Sequence, residues 1–341
     1  MSNKPSFLKK NATIGLCAPS FGCATSPYIE RYNNALKTFK KLGYKIVEGE
    51  NVNSYDFIAS ATPQKRAQEF MDLMLNDEID FIFSVGGGEL MCQILPYIDF
   101  DKIKALKKKK LFMGYSDNTI LTFTLPIFAD SYAIYGECFP TFGVRKWDKS
   151  LKDAYALITG QEMIQHPYPK CADPQKHTDN PLKRDPYIKK TAWKRYQSDD
   201  PVTFKGILMG GCMDILNVLC GTPYFEIDDY LEKHKTEGFI IFLEACEFHA
   251  LAQKRAYWQF KNASLFKYCN GIIIGRPLMT YPMFDHTYVE MIDELKDLNI
   301  PIIYDVDIGH VPPSITLISG AMAEVHFEKN QKKCYLKHLI K

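Results

Sequence analysis

The stretch Leu111-Phe112-Met113-Gly114-Tyr115-Ser116-Asp117-Asn118 decides the class of fold. Its opening residues are apolar and few, which suits one buried strand, and Ser, Asp and Asn are residue types that begin helices. Helical spacing follows at once, from Asn118 to Ile127. A strand running straight into a helix is the repeating step of an α/β protein with a parallel sheet. The same step recurs upstream. Thr13–Ala18 reads as a buried strand closed by Pro19-Ser20, Tyr28 to Leu42 keeps helical spacing up to Gly43, and Tyr44–Val47 reads as a second strand. Thr62-Pro63 opens a helix with Ala67, Phe70, Met71 and Met74 on one face, and Asp80–Val85 is a further strand closed by Gly86-Gly87-Gly88.

Residues 1–165 are therefore expected to form an N-terminal α/β domain with a mostly parallel sheet. The pattern lapses over residues 166–205, which hold Pro167, Pro169, Pro174, Pro181, Pro186 and Pro201, many charges and little periodicity. Such a stretch reads as a long connecting loop, and loops of that length are commonly functional or mobile. Apolar runs return at Gly206–Met209, Phe239–Leu243, Gly271–Ile274 and Ile302–Tyr304, predicting a smaller C-terminal domain of mixed α and β structure over 206–341.

A chain of 341 residues exceeds what one hydrophobic core usually supports, in keeping with two domains. Lys+Arg 42 against Asp+Glu 40 leaves a net charge of +2, which argues against a nucleic-acid binder built on a basic surface. The one dense basic block, Lys107–Lys110, reads as a solvated helix end ahead of the strand at 111. Ten cysteines are irregularly spaced without a C-x-x-C, so free thiols in a reducing compartment are expected. The residues from Met1 to Lys10 are polar and basic with no apolar segment behind them, and no apolar run approaches the roughly 18 residues of a membrane span. A cytoplasmic protein without membrane contact is the expectation.

Ser116 sits where a strand turns into a helix, so unpaired helix N–H groups beside it would favour a developing oxyanion. The same residues could simply cap that helix, and the pentapeptide is not G-x-S-x-G. Gly86-Gly87-Gly88 ends another strand and could offer a backbone donor or be a plain tight turn; it is neither a P-loop nor G-x-G-x-x-G. Glu244 ends an apolar strand, and His310 lies in a Gly-His-Val-Pro-Pro turn after another. Alone, each suits a salt bridge or a structural role. Together with Ser116 they supply the three parts of a catalytic triad. A Cys–His peptidase using Cys138 or Cys17 is an alternative. The eight histidines are scattered, with no H-E-x-x-H and no ligand spacing, so no metal site is expected.

The blocks Ile14–Ser20, Phe83–Gly87, Leu95–Asp99, Gly114–Asp117, Gly206–Gly211, Gly221–Tyr224, Leu243-Glu244 and Gly309-His310 jointly resemble the serine LD-carboxypeptidases, in that family's order and across nearly the whole chain. The resemblance implies an active site between two domains, a homodimer, and no metal or cofactor. It implies Ser116 as nucleophile, His310 as base, Glu244 as the orienting acid, and an oxyanion hole from the N–H of Asp117 and one from Gly87 or Gly88. Two branches of the family are in play: one trims L,D-linked muropeptides, the other resembles microcin C self-immunity peptidases acting on aminoacyl or peptidyl nucleotides. The loop ending near Trp193 looks like the second branch, where a Trp stacks on the nucleotide base; Trp193 could equally anchor a polar loop. Cys212 replaces the Asn usual after Gly-Gly and would adjoin the substrate, Gly88-Glu89 replaces small polar residues, and Ile318-Ser319-Gly320 lacks the usual proline. A non-catalytic muropeptide- or small-molecule-binding protein on the same scaffold is the rival reading.

Overall fold

The computed structural model describes residues 5–282 and 284–340, and these divide into two compact units. The first holds residues through Glu162 together with His177–Asp185 and Thr316–Ser319. It alternates β1 (Thr13–Cys17), α1 (Tyr28–Lys41), β2 (Lys45–Glu48), α2 (Pro63–Leu75), β3 (Phe81–Ser84), α3 (Phe100–Ala105), β4 (Leu111–Gly114), α4 (Thr119–Ala129), β5 (Ala133–Tyr135) and α5 (Lys149–Ile158). Local chemistry explains the boundaries: α2 starts at Pro63, whose missing N–H costs nothing there, with Thr62 Oγ1 capping the Lys65 N–H. β3 and β4 are buried at every position, as strands covered on both faces must be. The parallel order is β2-β1-β3-β4-β5, with Leu317–Ser319 added antiparallel beside β5. This doubly wound order reverses between β1 and β3, and ligands of such sheets bind outside the carboxyl ends of the strands.

The second unit takes residues 163–176, 186–315 and 320–340. Its sheet uses β6 (Ile164–Gln165), β9 (Lys194–Arg195), β10 (Val202–Cys212), β11 (Phe239–Glu244), β12 (Cys269–Gly275), β13 (Ile302–Val306), β15 (Met322–Phe327) and β16 (Tyr335–His338); β7 (Lys170–Ala172) and β8 (Tyr187–Lys190) form a separate hairpin, and β14 is the Leu317–Ser319 strand of the first unit. The order is β6-β16-β15-β10-β11-β12-β13-β9, parallel from β10 to β13 and antiparallel outside. Helices α6 (Met213–Leu219) and α7 (Ala250–Asn262) follow β10 and β11, the same strand-to-helix step as in the first unit. Among the described residues no helix is long and apolar enough to cross a membrane.

Two expectations change. Residues 166–205 are not one loop: β7, β8 and β9 lie within them, β10 begins at Val202, and residues 177–185 belong to the first unit. These strands are too short to display periodicity, so their partners reveal them where their own pattern does not. The basic block is only half solvated. Lys109 Nζ donates to the carbonyls of Ile103 and Lys104 near the end of α3 and of Ala129 closing α4, while Lys110 bonds the Met74 carbonyl of α2. An ammonium placed against helix-end carbonyls satisfies its own donors and meets the negative end of the helix dipole.

Candidate active site

In the first unit the carboxyl ends of β1, β3 and β4 gather their loops. Ser116, two residues past β4, has φ +65°, a left-handed conformation that a residue with a Cβ rarely adopts. Strain of this kind persists only when the surroundings enforce it. Here the Ser116 N–H donates to the Tyr135 hydroxyl (3.3 Å), and the next carboxylate, Asp117, accepts from Ser20 Oγ (2.5 Å) after β1 and from the Met91 N–H (2.9 Å). Asn118 Nδ2 donates to the carbonyls of Gly86 and Tyr115, tying the glycine turn to the serine turn. Gly87 lies against Ser116: a Cβ there would stand 3.2 Å from the serine Cβ and 3.3 Å from its Oγ. Gly88, at φ +148°, has no room for a Cβ beside Ser20. Burial pushes the Asp117 carboxyl up, while Ser20, Met91 and Arg66 pull it back. Arg66 joins the same assembly, donating to the carbonyls of Pro19 and Leu90.

In the second unit, Cys212 and Glu244 end β10 and β11 as register partners. Residues paired in register on parallel strands project to the same face, and this brings the thiol and the carboxylate together. His310 arrives from the turn after β13, and its Nδ1 lies 2.9 Å from Glu244 Oε2, an imidazole N–H donating to a carboxylate. Glu244 is 0% exposed and the His310 side chain 13%. Gly309 permits this approach, with φ +93° and a position where a Cβ would lie 2.4 Å from Glu244 Oε2. Burial opposes the imidazolium, but the charge and hydrogen bond of Glu244, with a hydrogen bond to Cys246, outweigh it and hold His310 well above the usual 6.5. The Cys212 thiol is pushed well up, first by burial and then by Glu244 and Asp214. One ligand atom from each of Cys212, Glu244 and His310 lies within 4.8 Å of the others.

The turn carrying His310 has its own support, which residue patterns alone did not single out. Arg276, just past β12, donates to Asp307 Oδ1 (2.6 Å) and to the carbonyls of Asp305, Val311 and Pro313. A buried arginine at a strand end is the signal that could have marked it. Asp214 likewise accepts the N–H groups of Cys246, Glu247 and Phe248, holding the loop after β11. Trp193 is 2% exposed; its indole N–H donates to Asp307 Oδ2 (2.7 Å), and Gln331 bonds its backbone on both sides. Of the two roles weighed for Trp193, the geometry is that of an anchor, without an open ring face for stacking. Cys17 and Cys138 are buried thiols pushed up mainly by burial, the opposite of an activated nucleophile.

Residues 14–135 match the family model described as the LD-carboxypeptidase N-terminal domain, and residues 205–325 match the LD-carboxypeptidase C-terminal domain. The microcin C7 self-immunity protein MccF of Escherichia coli is 26% identical over 93% of this chain and 91% of its own. The solved structure of MccF in complex with aspartyl sulfamoyl adenosine aligns with a TM-score of 0.81 at 24% identity, covering 98% of both chains. An MccF-like protein from Bacillus anthracis str. Ames aligns with the same score at 23% identity and 99% coverage of both.

Proposed function

Because the chain belongs to the LD-carboxypeptidase family of peptidases, we propose that it hydrolyses an amide through Ser116 as nucleophile, His310 as base and Glu244 as the acid that orients the imidazole. The observation that carries this reading is the buried Glu244–His310 bond of 2.9 Å. A carboxylate on Nδ1 fixes the tautomer that leaves Nε2 as acceptor, and it stabilises the imidazolium formed when that nitrogen takes a proton. Ser116 Oγ attacks the scissile carbonyl and its proton passes to His310. The N–H of Asp117 and one from the Gly87–Gly88 turn receive the oxyanion, a role that the helix-start position of Ser116 and the close fit of Gly87 support. The amine leaves with the proton from His310, and water then cleaves the acyl-enzyme ester by the same route.

The relative bound to aspartyl sulfamoyl adenosine supports an aminoacyl or peptidyl nucleotide as substrate. The burial of Trp193 means that any stacking on the base falls to another side chain. Incubation with an aspartyl-sulfamoyl nucleoside and, separately, with an L,D-muropeptide chooses between the branches. With the cleaved substrate, Ser116→Ala is expected to lower kcat by at least about a thousandfold. Undiminished turnover by that variant would remove Ser116 from the mechanism. A serine-directed phosphonate that labels Ser116 excludes the non-catalytic binding protein, since labelling needs an activated hydroxyl.

A further inference from the structure

The histidines have no ligand spacing along the chain, yet the fold gathers a sulfur, a nitrogen and an oxygen donor at one end of the second sheet. Cys212, Glu244 and His310 each contribute one atom to a cluster no wider than 4.8 Å. Two of these residues are held by strand register and the third by the Arg276-supported turn, so the cluster is built by the backbone and owes nothing to chance surface rotamers. We propose that Cys212, Glu244 and His310 form a Zn2+ site, and that a bound ion stops catalysis by engaging the histidine the reaction needs. The binding stands on the geometry alone; its inhibitory consequence rests on the triad reading.

Three arguments favour this metal. Thiolate, imidazole and carboxylate together match a borderline-soft ion, whereas Mg2+ and Ca2+ want oxygen donors throughout. In a tetrahedral zinc site the donor atoms stand about 3.3–3.6 Å apart, so the 2.9 Å contact between His310 and Glu244 need open by only roughly half an ångström. The ion also balances the charge of a buried carboxylate and thiolate, at positions 0% and 1% exposed. The 13% exposure of the His310 side chain gives the route by which an ion enters. An asparagine at 212, usual in the resembled family, would lack the thiolate, so zinc sensitivity would be a property of this chain's own cysteine.

The test uses full-length Ser116→Ala protein freed of metal by chelation and titrated with Co2+, which reports thiolate ligation as a charge-transfer absorbance band. One Co2+ per chain is expected, displaced by Zn2+. Adding Cys212→Ser should abolish the band, adding His310→Gln should weaken Co2+ at least about tenfold, and adding Cys220→Ser should change neither. If Cys212→Ser fails to fold, the His310→Gln measurement decides. Absence of saturable binding, or a band and affinity unaltered by Cys212→Ser or His310→Gln, would overturn the site. In the native enzyme, Zn2+ is expected to inhibit and EDTA to restore activity, with no inhibition of Cys212→Ser. Full activity in Ser116→Ala would refute the triad and leave the Co2+ titration standing, so the two failures are told apart.

Discussion

At the scale of single residues, the His310 imidazole is pulled two ways. Burial favours its neutral form, while Glu244 and Cys246 favour the charged one and prevail, so its pKa in the folded protein lies well above 6.5. General-base catalysis needs the neutral ring, so kcat/KM should climb only as pH rises through that raised value. Stability runs the other way. A group whose pKa is higher folded than unfolded stabilises fully below the unfolded value and loses that contribution as pH rises through the folded one. Across the window above 6.5, urea stability should therefore fall while activity climbs. Glu244→Gln removes the principal charge that favours the imidazolium and should shift the acid limb of the rate profile to lower pH, with a much reduced plateau. A profile that does not move would separate Glu244 from the titration of His310.

At the scale of elements, the turn from Asp305 to Pro313 presents His310, and one guanidinium holds four of its groups. Asp307 is 0% exposed and also receives the Trp193 indole and the Tyr168 N–H, so the turn is fastened to β12 and to the segment before β10. Burial pushes the Asp307 carboxyl up, and Arg276 leads the groups that draw it back. Removing one member of a buried ion pair leaves an uncompensated charge and costs about 3–5 kcal/mol. Arg276→Met should lose that much in denaturant unfolding. Arg276→Met/Asp307→Asn should recover part of it, because the amide oxygen still accepts from the indole without a net charge. A loss below about 1 kcal/mol in the single variant, the size of an ordinary surface pair, would show that Arg276 does not hold the turn.

At the scale of the whole molecule, the chain passes between its two units repeatedly. Residues 177–185 and 316–319 return to the first unit, and 163–176 belongs to the second. No single cut therefore leaves both units whole. A fragment of residues 1–165 lacks the Leu317–Ser319 strand beside β5, leaving an unpaired edge, and a fragment of residues 206–341 lacks β6, β9 and the first part of β10. Neither piece should fold alone: thermal scans should lack a cooperative transition, whereas the full chain melts with one. A sharp transition in either fragment would contradict this.

Sequence alone determined the class of fold, the parallel strands and the turn at Ser116, because apolar periodicity, caps and glycine stops are short-range signals carried by neighbouring residues. Thr62-Pro63, Gly43 and the run at 111–114 declare their elements without reference to anything distant. It also placed Ser116, Glu244 and His310 at strand ends, though local reading left each with a plainer role. Only the tertiary structure brought Cys212 against Glu244, turned Trp193 inward to Asp307, set Lys109 on two helix ends and recruited Arg276 to the His310 turn. Those placements follow from strand register and from which strand neighbours which. Packing over the whole chain decides both, and they leave no periodic trace in the residues concerned.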